Sequence, residues 1–228
     1  MNDLSVAVAL ATAPYSAFAE LRERPRFWFP LLLVVLTTAA MLFWYYSVVD
    51  IDWLKDLMYG NNPAIPEAQR SVIMSVMNRS RLLWSSVIGV VVVLPVITAV
   101  TALYWLLAAK VTKLTPGYKH WFAFTCWTAL PVLISHVVAA ILLLIRDTPQ
   151  IGLGVLQPLS LNELVFHLPM GSPAQNLLGS LAIPAFLGWV LQVIGVHVWS
   201  QRSWLFGTLF VLLPNAVFFG VWAILAFR

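Results

Sequence analysis

APYSAFAELRERPRFWFPLLLVVL, residues 13–36, decides how the whole chain is read. A small-x-small triplet, Ala17-Phe18-Ala19, precedes Glu20, three arginines and a long apolar run. One reading is a signal peptide cut after Ala19; the other is the retained start of a membrane protein. A secretory signal opens with positive charge. Residues 1–12 carry none, and Asp3 is negative. The candidate apolar core, Val6–Ala13, is mostly Ala and Val and stops at Pro14. Arg22, Arg24 and Arg26 stand directly before Phe27, as on the cytoplasmic flank of a span. The expectation is a retained interfacial helix from Pro14 to about Arg24. Its apolar face is Ala17, Phe18 and Leu21, and its basic end rests on anionic lipid.

The rest of the chain agrees with a membrane setting. It is 61% hydrophobic and only 10% charged, against about 25% charged in a soluble domain, so most of its surface must meet lipid. Its Trp, Phe and Tyr residues fit membrane interfaces. The net charge of +4 is not read as nucleic-acid binding, because the basic residues sit at the ends of apolar runs. Cys126 is the only cysteine, which excludes an intrachain disulfide, and it lies in an apolar run as a small core residue.

Five runs are long enough to span: 27–49, 82–109, 121–145, 177–199 and 204–227. None holds Asp, Glu, Lys or Arg in its interior. A spanning strand would alternate, so the fold class is all-α: a polytopic integral membrane protein with five transmembrane helices and short interfacial helices, one domain over 1–228. Between the second and third runs lie Lys110, Lys113 and Lys119 without an acid, and Arg202 lies between the last two. These share a side with the three N-terminal arginines. The opposite side holds Lys55, Arg70, Arg79, Arg81, Arg146 and Arg228. The bare count is nearly even, so the lysine-only loop places the N-terminus in the cytoplasm and the C-terminus outside.

Two longer segments fall on the outer side. In 50–81, a turn-rich break at Gly60–Pro66 precedes a surface helix with Val72, Ile73, Val76 and Met77 on one face. In 147–175, SLNE (160–163) reads as a capping box for a short helix ending near Pro169, and Ser172-Pro173 opens the fourth long helix.

Pro95, Pro131, Pro184 and Pro214 each fall near the middle of a run. They read either as kinks around a polar cavity or as ordinary membrane-helix prolines. Polar residues at depth are Thr98, Thr101, Ser135, His136, Gln192 and Asn215. His136 lacks an acidic partner in any span, which makes a poor proton relay, and a helix-to-helix hydrogen bond to Asn215 or Gln192 is expected instead. Ser180, Pro184, Gly188 and Gln192, four apart, form a stripe for close helix packing, with Gly195, Gly207 and Gly220 serving likewise. Glu163 and His167 would share a helix face but have no third ligand nearby, which is short of a metal site. His120 and His197 fall near the cytoplasmic interface. No catalytic pair or phosphate loop is visible, and no cofactor is implied.

The opening stretch, with Pro14 and Pro25, is similar to the start of the Yip-one domain family, membrane proteins named for interacting with Ypt/Rab GTPases. LYWLLAAKVTKLTPGYKHWFAF looks like the family's basic inner loop. CWTALPVLIS resembles its third span, with Ala129-Leu130-Pro131 as the small-Leu-Pro step. SLAIPAFLGWVLQVIGVHVWS resembles its fourth, with Trp189, Leu191 and Gly195 in register. Family members often carry an acid before that tryptophan; here Ala182-Ile183-Pro184 has none. The resemblance covers most of 12–227 and points to the bacterial branch, hence an inner membrane. It implies five spans and a cytoplasmic N-terminus. Eukaryotic relatives associate with Rab GTPases and with each other; the expectation here is a chain without their long cytoplasmic N-terminal region.

The function expected is non-enzymatic: membrane organisation, with the bilayer and other membrane proteins or a second copy as partners. The rival reading is a small solute or lipid transporter built on the proline-kinked helices around His136.

Overall fold

The computed structural model describes residues 1–60 and 66–227. The expected break at Gly60–Pro66 falls mostly on 61–65, outside the described residues. The described residues are helical throughout, apart from turns and one isolated bridge. Five helical segments are long and apolar enough to cross a membrane: Trp28–Val48, Arg79–Val111, Tyr118–Ile145, Ile183–Ser200 and Trp204–Ala226.

Chain order explains each boundary. Helix α1 (Asp3–Thr12) opens on Asn2, whose Oδ1 accepts from Ser5 N at 2.7 Å. Pro14 starts α2 (Pro14–Glu23) at a position where its missing N–H costs nothing. The first crossing, α3 (Trp28–Val48), leads through the short α4 (Ile51–Lys55), N-capped by Asp50, and a π-helical turn at Asp56–Gly60. The expected surface helix is α5 (Glu67–Val76), with Val72 and Val76 exposed. The second crossing, α6 (Arg79–Val111), is N-capped by Asn78.

The third crossing is split into α7 (Tyr118–Thr128) and α8 (Val132–Ile145) by a tight turn at Pro131. There Val132 N donates to Ala129 O at 3.1 Å, one residue short of the α-helical partner. Beyond α8 come a 3-10 turn at Leu153–Leu156 and a π-helical turn at Asn162–Phe166. Then follow α9 (Pro173–Ser180), α10 (Ile183–Ser200) and α11 (Trp204–Ala226).

Two expectations are corrected here. The fourth crossing begins at Ile183, not 177. Extended backbone separates α9 from α10, because Leu161 N donates to Leu181 O at 2.8 Å and Ile183 N donates to Leu159 O at 3.0 Å. Pro184 therefore lies in the first turn of α10 and bends nothing. Pro95 and Pro214 do lie inside α6 and α11. The second correction concerns α2. Ala17, Phe18 and Leu21 are buried, but against protein rather than lipid.

Side chains bury at the two ends of the bundle. The near-end core joins α1 and α2 to the near ends of α6, α7, α10 and α11, around Phe18, Trp105, Trp121, Phe124, Trp199 and Phe210. Ring centroids lie 5.3 Å apart for Trp121–Trp199 and 5.2 Å for Phe124–Trp199. Three indoles are anchored to backbone: Trp199 Nε1 to Phe18 O at 2.8 Å, Trp127 Nε1 to Arg26 O at 2.6 Å and Trp121 Nε1 to Pro116 O at 3.1 Å. The far-end core joins the ends of α3, α6 and α8 to α4 and the 151–155 segment. There Tyr45 donates to Ile151 O at 2.7 Å, and Arg79 donates to the carbonyls of Tyr46, Ser47 and Val49. Arg79 so satisfies carbonyls that the end of α3 leaves without helical partners.

Candidate functional site: a polar cleft at the far end

Ser135, Ser180, Gln192 and Glu163, four of the polar groups that residue order singled out, line one cleft. Its outer part, about 450 Å³, is walled by Gln157, Ser160, Glu163, Gln175 and Asn176, with Met58 and Met170 among the apolar groups. Its inner part, about 390 Å³, runs between α7, α8 and α10. Gln157, Gly179, Ser180 and Leu156 line both parts, so the two are continuous. At about 1.5 Å per residue, Gln192 lies about 14 Å along α10 from Ile183, close to mid-span.

The expected stripe lies here, divided between two helices. Ser180 ends α9, whereas Pro184, Gly188 and Gln192 belong to α10. All four line the inner cleft. Gly188 is also a close approach: a Cβ there would stand 3.0 Å from the Thr128 carbonyl oxygen. That packing is internal to the chain. Gly195 and Gly207 likewise sit against neighbouring helices, while a Cβ on Gly220 would meet nothing within 4 Å.

The polar mid-span residues do not form one cluster. Gln192 Nε2 donates to Thr128 Oγ1 at 3.4 Å, and Thr128 Oγ1 donates on to Phe124 O at 2.9 Å. Gln192 Oε1 is buried without a partner among the described residues. His136 is placed instead against α3, with Nδ1 3.1 Å from Thr37 Oγ1 and Nε2 3.4 Å from Thr38 Oγ1. Both threonine hydroxyls donate to backbone carbonyls of α3, so their oxygens are left to accept from whichever ring nitrogen carries the proton. Asn215 Nδ2 donates to Val211 O within its own helix. Residue order missed the His136 partners, although Thr37-Thr38 is a polar pair in an otherwise apolar run.

The mouth of the cleft contains the SLNE segment. Ser160 Oγ accepts from Glu163 N at 3.3 Å, which is half of a capping box. The other half is absent, because Glu163 Oε1 accepts from Asn162 Nδ2 at 2.9 Å. The turn ends at Phe166, and His167 follows at φ 52, with its Nδ1 3.2 Å from Val165 O. Among the described residues no group of three His, Cys, Asp or Glu could hold a metal ion.

The cleft has a floor. Past Gln192, α10 continues through Gly195, Val196 and Trp199, all buried in the near-end core. Beyond that core lies the basic end of the bundle. Lys110, Lys113, Lys119 and Arg24 are exposed, and Arg22 is half-buried. Arg26 departs from the lipid-contact expectation. It pairs with Asp3 at 3.2 Å and Glu20 at 3.1 Å and donates to Met1 O. Arg202 donates to Thr112 O at 2.8 Å, which puts the α6–α7 and α10–α11 connections on one end.

No curated protein and no solved structure matches the chain. The Yip1 domain family matches residues 8–225, nearly the whole length. With its helical crossings and continuous family match, the chain belongs to the Yip1 domain family of membrane proteins.

Proposed function

We propose that this chain is a non-enzymatic membrane-organising protein that works by association with other membrane proteins or with a second copy of itself. One observation supports this over transport: the polar cleft stops at Gln192, above a floor of buried rings in which Trp121 and Phe124 are 0% exposed and Trp199 is 2% exposed. Polar side chains at depth are used as pairs between helices, His136 with Thr37 and Gln192 with Thr128, as in helix packing. The whole chain acts as one domain in a bacterial inner membrane. Its N-terminus is cytoplasmic and its C-terminus outside, a reading supported by the exposed Lys110, Lys113 and Lys119 at the near end.

The second reading, transport of a solute or lipid, has the cleft in its favour and needs a path through the near-end core. Single cysteines in a Cys126→Ala background separate the two. At Pro184 and Gln192 a membrane-impermeant thiol reagent should react from the far side. At Val196, His136 and Asn215 it should not. Reaction at Val196 would put water through the floor and replace the packing reading with transport.

A further inference from the structure

We infer that the far-end cleft is a binding site for a molecule bearing an ammonium group, with Glu163 as its counter-ion. The observations are independent of the membrane-organising role proposed above. Glu163 is the single acidic or basic side chain lining either part of the cleft among the described residues. The rest of the polar lining is amides and hydroxyls, which can share an ammonium's protons but cannot neutralise it. One carboxylate oxygen is held by Asn162 Nδ2, and no ion pair engages the group among the described residues.

The carboxylate is also given a seat. It packs so closely over Gly154 that a Cβ on that residue would fall inside it. A glycine at 154 therefore admits the carboxylate to the position it holds at the cavity wall. Met58 and Met170 offer polarizable apolar walls suited to the carbons beside an ammonium. Further in, Val132, Pro184, Ala185 and Trp189 line an apolar route toward mid-span, with Gln192 Oε1 buried and unpartnered. A charged head at Glu163 with carbon behind it matches both halves. Anionic and phosphate-only ligands are disfavoured, because no Lys or Arg lines the cleft among the described residues.

Two sources share this chemistry: an aminolipid headgroup or a free alkylamine. Native mass spectrometry of the full chain in detergent separates them. The probes are phosphatidylethanolamine, phosphatidylglycerol with the same acyl chains, and free ethanolamine. The expected result is retention of phosphatidylethanolamine over phosphatidylglycerol. Loss of one charge-assisted contact should weaken that retention about tenfold or more in Glu163→Gln. Gly154→Ala keeps the charge but displaces it, and should weaken retention in the same direction. Thermal melting of each variant shows whether the fold is kept, and two variants guard against loss of either. Retention of ethanolamine alone, sensitive to both variants, assigns the site to a soluble amine. Equal retention of both lipids, no retention of any probe, or retention indifferent to both variants overturns the proposal.

Discussion

Trp199 Nε1 donates to the Phe18 carbonyl at 2.8 Å, across 181 residues of chain. This bond fastens α2, which precedes the first crossing, to the end of α10. Phe18 packs on the same indole, with centroids 6.5 Å apart. Trp199→Phe keeps a ring but removes the indole donor, leaving the Phe18 carbonyl only the helical partner its place inside α2 provides. The prediction is a loss of about 0.5–1.5 kcal/mol, read as a lower melting temperature in detergent. A melting curve identical to wild type would show that the bond contributes nothing.

Gly195 faces two rings of the same core. A Cβ there would lie 2.5 Å from Phe124 Cε2 and 2.7 Å from Phe18 Cε1. Both rings are fully buried and cannot swing aside. Gly195→Ala is therefore predicted to cost about 1–3 kcal/mol. Gly220→Ala adds its methyl to open space and should be neutral or slightly stabilising. Melting the two variants side by side tests the contrast, and equal effects would refute it.

Arg79 opens α6 yet serves α3, donating to the carbonyls of Tyr46, Ser47 and Val49. Arg79→Ala leaves those carbonyls without the guanidinium, at a predicted cost of about 1.5–3 kcal/mol. Lysine offers one ammonium in place of a fork and should recover only part of this. Limited proteolysis after residue 48 should speed up in the order wild type, Arg79→Lys, Arg79→Ala. A lysine variant as resistant as wild type would contradict the forked geometry.

The Glu20 carboxyl is held below the usual carboxylate range, first by its hydrogen bond to the N-terminal ammonium. Its pKa is depressed in the folded state, so its contribution is complete above the unfolded value near 4.5. It is lost as pH falls through the lower folded value. Melting temperature should thus fall more steeply below pH 4.5 in wild type than in Glu20→Gln. Parallel curves in that window would show that the carboxyl is not coupled to folding.

The crossings are readable from residue order because lipid demands an unbroken apolar run, and that demand is local. The gap between α9 and α10 is not local. Leu181 and Ala182 are as apolar as their neighbours, and only pairing with 159–161 draws them out of a helix. Pro184 looked like a mid-helix residue for the same reason. His136 could be flagged as a buried polar group needing a partner, but Thr37 and Thr38 lie in another crossing. Their hydroxyls also read as self-satisfied by α3 carbonyls. Glu163 was visible as the end of a capping box and as half of an incomplete metal pair, not as the charge of a cleft. Its meeting with Gly154 depends on how the 147–175 segment folds back on itself.

The two end cores differ in when the ribosome can complete them. Every residue of the far-end core lies between Met41 and Val155, so its last member is made before the fourth crossing exists. The near-end core runs from Val6 to Val211 and must wait for the fifth. Biogenesis is thereby ordered: three crossings are clasped at one face of the membrane while α1 and α2, made first, find their seat last.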